Sequence, residues 1–324
     1  MRPTLFTVHL GGHALGLHTY GVLVALGFAV GILLFWREGR RQGLNGGRLL
    51  DLSFWCIVAG LVGSRLAYVA LNAPEFAEAC FGRGSGGDGR IVGCTAALRF
   101  WEGGLVFYGG ALGAGLVVAW FCRREGWSFW RLGDLAAPTL AIGHALGRLG
   151  CFAAGCCFGK ACEAPWAVSF PAGSVAHQEL TAVGVVPANA KHTTPLHPTQ
   201  LYEAFGEVIL FAVLLVLRRR WNRSAAASDQ TARGSRAPGA LILVYAGGYA
   251  LLRFCVEIFR GDSARRYVFE WAAPSLARVL GLPPEAPLLL SVSQLASLLV
   301  LLGVALTLRA RTPRITESSA LTAP

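Results

Sequence analysis

The run Gly147-Arg148-Leu149-Gly150-Cys151-Phe152-Ala153-Ala154-Gly155-Cys156-Cys157-Phe158-Gly159 sets an arginine and three thiols in a glycine-rich segment at the end of an apolar stretch. A guanidinium is costly in hydrocarbon, so an arginine there serves a substrate or an ion pair, and glycines let backbone approach a ligand closely. Two more groups follow: His197-Pro198-Thr199-Gln200-Leu201-Tyr202-Glu203 and Arg253-Phe254-Cys255-Val256-Glu257-Ile258-Phe259-Arg260. Tyr249, Arg253 and Glu257 fall at i, i+4 and i+8 and share one helical face. Arg253 and Glu257 can neutralise each other, yet Arg65, Arg148 and Arg253 together leave a positive surplus. Guanidinium pairs with phosphate in a bidentate fork, so the ligand these residues suit is an anionic lipid headgroup.

The elements that must carry these residues are apolar helices. The chain is 54% hydrophobic and 15% charged, outside the range of soluble domains. Seven runs approach the roughly 20 residues that a bilayer requires: Tyr20–Phe35, Asp51–Leu71, Gly104–Cys122, Leu135–Leu149, Gln200–Leu217, Gly239–Phe259 and Leu288–Leu308. The expected fold is an all-α integral membrane protein of about seven transmembrane helices, a single polytopic domain over residues 1–324. The fourth run is short and interrupted by Pro138 and glycines, which is tolerated where protein or a watery cavity covers the backbone. Met1–Leu17 has neither a basic n-region nor a small-residue cleavage site, so no cleaved signal peptide is expected.

The net charge of +11 raises the question of a nucleic-acid partner, and its distribution answers no. Sixteen Lys and Arg fall in the short loops around 37–48, 123–131, 218–236 and 309–314, against ten spread over the others. By the positive-inside rule the sixteen face the cytoplasm, with the N-terminus outside and the C-terminus inside. Loops 72–103 and 150–199 then lie outside, the second forming a small periplasmic head. Residues 218–238 read as a cytoplasmic linker, flexible from Ser224 to Arg236, and 312–324 as a disordered tail. With this topology Tyr20, Arg65, Tyr108, Arg148, His197, Gln200, Glu203, Tyr249, Arg253 and Glu257 gather near the outer face.

The cysteines sort the same way. Cys56, Cys122 and Cys255 fall in spans as small apolar fillers. Cys80, Cys94, Cys151, Cys156, Cys157 and Cys162 lie outside, and an even number on an oxidising face reads as disulfides. Cys80 with Cys94 is the natural pair; the other four allow three pairings. Functional thiols are the alternative. Neither a C-x-x-C pair nor matched histidine spacing supports a metal site, so none is expected.

The ordered set Leu17–Gly21, Gly63-Ser64-Arg65, Trp101–Gly110, Gly147–Gly159, His197–Glu203 and Arg253–Arg260 resembles the motifs of the prolipoprotein diacylglyceryl transferase family along nearly the whole chain. The resemblance implies a multi-pass enzyme of the bacterial inner (plasma) membrane without metal or organic cofactor. It would transfer the diacylglyceryl group of phosphatidylglycerol to the lipobox cysteine of a prolipoprotein, releasing glycerol 1-phosphate. Its partners would be that lipid, the prolipoprotein signal peptide and surrounding membrane lipids. The resemblance places Arg148, with Arg65, Gly159, His197 and Gln200, at the phosphatidylglycerol, and Arg253, Glu257, Tyr108, Tyr20, Glu203 and Tyr249 at the chemistry.

Two departures stand out. Tyr108 occupies the place of a family histidine, and a tyrosine with its ordinary pKa near 10 is a poor base at neutral pH. Cys151, Ala154 and Cys156 stand where the family carries two asparagines and a glutamate. His144, one turn before Arg148, is either a substitute base or a packing histidine. The rival readings are a membrane thiol–disulfide oxidoreductase using Cys151, Cys156 and Cys157, and a catalytically silent lipid- or lipoprotein-binding homologue.

Overall fold

The computed structural model describes residues 4–10, 13–81, 94–100, 103–227, 237–262, 267–282 and 289–311. Strands β1 (Thr4–Leu10) and β2 (His13–His18) form an antiparallel hairpin, and helices α1 (Thr19–Arg41), α2 (Gly46–Leu71) and α3 (Ala73–Phe81) follow. After a 3-10 turn at Ala96–Leu98 come α4 (Phe107–Glu125), α5 (Phe129–Ala154), α6 (Val175–Ala182), α7 (Thr199–Ala227) and α8 (Ala240–Phe259). Strand β3 (Tyr267–Trp271), α9 (Pro274–Val279), β4 (Leu289–Ser291) and α10 (Val292–Arg311) complete the order, with β3 and β4 antiparallel.

The chain is mostly helical, and the described part of each apolar run falls mainly on a helix. Five helices (α1, α2, α8, α10 and the Thr199–Arg223 part of α7) are long and apolar enough to cross a membrane. Their outer faces carry exposed Leu33, Phe54, Leu66, Phe205 and Leu299. Patches of that kind do not survive on a soluble monomer and mark a lipid-facing surface.

The mostly helical chain is consistent with an all-α membrane protein, to which the β1–β2 hairpin and the β3–β4 strand pair add two small sheets. Helix α7 runs through Ala227, inside the segment read as linker, because Arg-rich and Ala-rich sequence propagates a helix well. The rest of Ser224–Arg236, the tail 312–324 and Trp101 lie outside the described residues.

The chain divides into two units, residues 32–135 and residues 1–31 with 136–324. In the first, α2 and α4 meet along glycines. A Cβ at Gly63 or Gly109 would strike the backbone oxygen of the other, and one at Gly113 would strike Ala59 O. Small residues of this kind let helices approach closely where no hydrophobic effect drives them together. Gly109→Val is expected to part these helices, lowering the detergent-solubilised melting temperature by the equivalent of about 1–3 kcal/mol; an unchanged melt would show the contact to be dispensable. The same unit holds the Cys80–Cys94 disulfide.

In the second unit α5 carries Pro138, which removes one helical hydrogen bond. Ala137, Ala141, Leu214 and Leu241 form a buried core for α5, α7 and α8. Gly27 faces Gly143, where a Cβ would come within 2.9 Å of the Gly143 carbonyl, so α1 lies tight against α5. Residues 155–199 make a small head around buried Phe158, Phe170, Ala176 and Leu196. Gly159 N–H bonds His197 O (2.9 Å) within the head, and Lys160 N–H to Phe259 O (2.8 Å) and Gly261 N–H to Phe158 O (3.0 Å) sew it to the end of α8.

Candidate active site

Glu203, in the first turn and a half of α7, is the centre of the 1–31 and 136–324 unit. Helix α5 brings Arg148, whose Nη2 lies 3.0 Å from Glu203 Oε1, and α8 brings Arg253, whose Nη1 lies 3.2 Å from Oε2. The Tyr249 hydroxyl donates to Oε1 at 3.3 Å. The shared face of Tyr249, Arg253 and Glu257 is thus aimed into this cluster. Arg253 Nη2 continues to Glu257 at 2.7 Å and donates to Ser293 Oγ on α10 at 3.3 Å.

His144 connects the cluster to a residue that motif reading missed. Its Nδ1 lies 2.7 Å from Glu207 Oε1, while Arg148 Nε donates to its Nε2 at 3.1 Å. A guanidinium nitrogen has a proton to give and no lone pair. His144 Nε2 must therefore accept, and the ring proton sits on Nδ1, donated to Glu207. The result is a neutral imidazole oriented by a buried carboxylate. Glu207 lies one helical turn beyond Glu203 on the same face of α7, a spacing that marks it in the sequence. Asp262, also missed, clamps Arg260 through two bonds of 2.6 and 2.8 Å.

Exposure divides the cluster. The side chains of His144 and Arg148 keep 28% and 16% of their surface, against 2% for Glu203 and 0% for Glu207. Arg148 Nη1 makes no hydrogen bond with any described residue. One guanidinium edge is therefore braced and the other is open. The expected positive surplus is corrected here: Arg148, Arg253 and Arg260 face Glu203, Glu207, Glu257 and Asp262. Charges taken out of water persist only when paired, so a phosphate must bind by joining or displacing a carboxylate.

Other expected site residues act as framework. Arg65, in the 32–135 unit, commits four of its five N–H donors to carbonyls of Ala96, Ala97, Gly103 and Gly104. It staples the turn before α4. Gly159 is likewise a packing joint, since a Cβ there would overlap His197 and Phe259 O. Gln200 Nε2 donates to Cys156 O and Thr199 Oγ1 to Cys157 O, both at 2.7 Å, so the His-Pro-Thr-Gln segment holds the thiol loop. His197 bonds the Tyr202 hydroxyl at 3.0 Å, and burial with the nearby Lys160 ammonium lowers its pKa. Tyr20 packs beside Gly150 and is partly exposed. Tyr108, in the 32–135 unit, is exposed with its ring edge-on to Phe107.

Of the six outer cysteines only Cys80 and Cys94 are joined; Cys151, Cys156, Cys157 and Cys162 are free thiols. The Cys157 pKa is lowered by hydrogen bonds from Cys151 and Cys156, with Arg260 and Arg148 adding to the effect, while the Cys156 pKa is raised by the same contacts.

Five helices long and apolar enough to cross a membrane, with a buried cluster of paired charges beside them, mark an integral membrane protein. The model of the prolipoprotein diacylglyceryl transferase family matches residues 6–309. Proteins named phosphatidylglycerol–prolipoprotein diacylglyceryl transferase are similar throughout. That of Thermosynechococcus vestitus is 31% identical over 76% of this chain and 78% of its own length. That of Pseudomonas aeruginosa UCBPP-PA14 is 31% identical over 87% and 90%, and that of Clostridium tetani 26% over 81% and 86%. The chain belongs to the prolipoprotein diacylglyceryl transferase family.

Proposed function

We propose that this protein transfers the diacylglyceryl group of phosphatidylglycerol to the lipobox cysteine thiol of prolipoproteins, releasing glycerol 1-phosphate. The observation that carries the reading is the open edge of Arg148, held by Glu203 and His144 within a chain whose relatives bear that activity in their names. It works in the bacterial inner membrane as a multi-pass protein of seven spans, N-terminus outside and C-terminus cytoplasmic, with the 155–199 head on the outer side.

The chemistry follows from the groups present. The lipid phosphodiester binds the free edge of Arg148, and the guanidinium stabilises the charge that grows on the leaving phosphate. A thiol is nucleophilic as its thiolate. His144 Nε2, released as Arg148 turns to phosphate, takes the acceptor proton, while Glu207 keeps the ring proton on Nδ1. The thiolate then forms a C–S bond to the glyceryl carbon as its C–O bond to phosphate breaks. Glycerol 1-phosphate leaves, taking up the proton from His144. Glu203, braced by Arg253 and Tyr249, holds Arg148 in register. On this reading His144 supplies the proton acceptor for which Tyr108 is unsuited.

The test is rescue of a bacterium depleted of its own diacylglyceryl transferase, with a reporter prolipoprotein followed by gel shift. Growth with a lipidated reporter is the expected result. An unlipidated reporter, with this chain folded in the membrane, would overturn the assignment.

A further inference from the structure

Cys151, Cys156 and Cys157 bring their sulfurs within 4.8 Å of one another, and all three are part-buried. The last turn of α5 presents Cys151. Gly155 (φ 76°) then reverses the chain, with the N–H groups of Gly155 and Cys156 both returning to Cys151 O at 2.9 and 3.1 Å. Cys157 completes the tripod with φ 57°, and it is the only non-glycine residue with positive φ among the described residues. A side chain in that region costs on the order of 1–3 kcal/mol and persists where surrounding structure imposes it. Here the imposing contacts are those of Thr199 and Gln200 to the carbonyls of Cys157 and Cys156. The loop is locked into the one backbone conformation that turns the third thiol toward the other two.

A disulfide does not account for this arrangement. It uses two sulfurs and leaves the third unexplained. Linking Cys156 to Cys157 would also be strained, since neighbouring Cα atoms lie about 3.8 Å apart and relaxed disulfides span about 4.4–6.8 Å. Three converging sulfurs match the first shell of a soft ion. At M–S distances of about 2.3 Å, tetrahedral or trigonal coordination places sulfurs about 3.8–4.0 Å apart. The tripod therefore needs to contract by less than about 1 Å to close on a metal.

We propose that Cys151, Cys156 and Cys157 form a binding site for one thiophilic d10 metal ion, of which Zn2+ is the representative, with the fourth position open to water or an incoming thiol. Thiolate ligands select such ions over Mg2+ or Ca2+. Three thiolates around a divalent ion carry one net negative charge, and Arg148 and Arg260 supply the neighbouring positive charge. The ion ties the end of α5, which carries Arg148, to the loop held by the start of α7, which carries Glu203. The expectation of no metal site rested on the lack of a C-x-x-C pair; the positive φ of Cys157 supplies what that spacing normally does.

The site stands independently of the transferase reading, because metal content is measured without turnover. The full chain, purified in detergent without a polyhistidine tag, is expected to hold about one zinc per molecule by mass spectrometry. Exchange with Co2+ should produce a thiolate-to-metal charge-transfer band. Cys151→Ser, Cys156→Ser and Cys157→Ser should each weaken binding at least about tenfold, while Cys122→Ser leaves it unchanged. Should the serine variants not fold, alkylation of the unmutated chain decides: added Cd2+ is expected to protect these three cysteines and not Cys56, Cys122 or Cys255. Absence of both zinc and a cobalt–thiolate band overturns the proposal. So does unprotected alkylation, or a disulfide joining any two of the three in the freshly isolated chain.

Discussion

Arg148→Ala is expected to reduce diacylglyceryl transfer by at least about 10²–10³-fold, the loss that follows removal of one preorganised donor from a developing oxyanion. The full charge of the guanidinium pushes the effect toward the upper end. Arg148 Nη1 bonds no described residue, and the guanidinium is braced from two sides, by Glu203 at 3.0 Å and His144 at 3.1 Å. Arg253 cannot replace it: both of its terminal nitrogens are engaged, by Glu203, Glu257 and Ser293. Arg148→Lys should be intermediate, since an ammonium keeps the charge but cannot hold Glu203 and a phosphate at once in one planar fork. Transfer would be followed by gel shift of a reporter prolipoprotein with membrane insertion and melting checked in parallel. Turnover of Arg148→Ala within tenfold of the unmutated chain would remove Arg148 from the site.

The class of fold was legible because lipid-facing helices are apolar all round, so composition and run length mark them without tertiary knowledge. The polar face of α8 was legible for a related reason: Tyr249, Arg253 and Glu257 are bound by helical periodicity, which is local. What escaped was pairing across elements. The positive surplus inferred from Arg65, Arg148 and Arg253 dissolves once Glu203 is found between two arginines and Asp262 beside Arg260. None of these pairs is set by local spacing alone except the last, which is only two residues long. The partners of Arg65 escaped for a different reason. An arginine in a span must find partners, and the carbonyls around Gly103 and Gly104 serve as well as a phosphate. The hairpin β1–β2 was overlooked although Gly11-Gly12 between two short β-prone runs is a hairpin signal. Cys151, Cys156, Cys157 and Cys162 were read as disulfides in one of three pairings because cysteine parity says nothing of where sulfurs point.

His144→Gln is the second large effect, expected to lower kcat by about 10²–10⁴-fold, the range for removing a positioned general base. KM for phosphatidylglycerol should move little, since the open edge of Arg148 remains. The pH dependence separates chemistry from packing. A thiol without a base must ionise alone, with an ordinary pKa of about 8.5. The rate of the variant should therefore climb with pH through that value, while the unmutated chain, whose His144 takes the proton, rises far less. A histidine that merely fills space would lower the rate by the same factor at every pH. Glu207→Gln should show the same trend in milder form. The amide still accepts the Nδ1 proton but no longer favours the imidazolium that forms as the thiol gives up its proton. Because Glu207 is fully buried against His144 at 2.7 Å, its charge helps only through that ring. The double variant should then be no slower than His144→Gln alone. Additive losses would mean that Glu207 serves the site by some route other than His144.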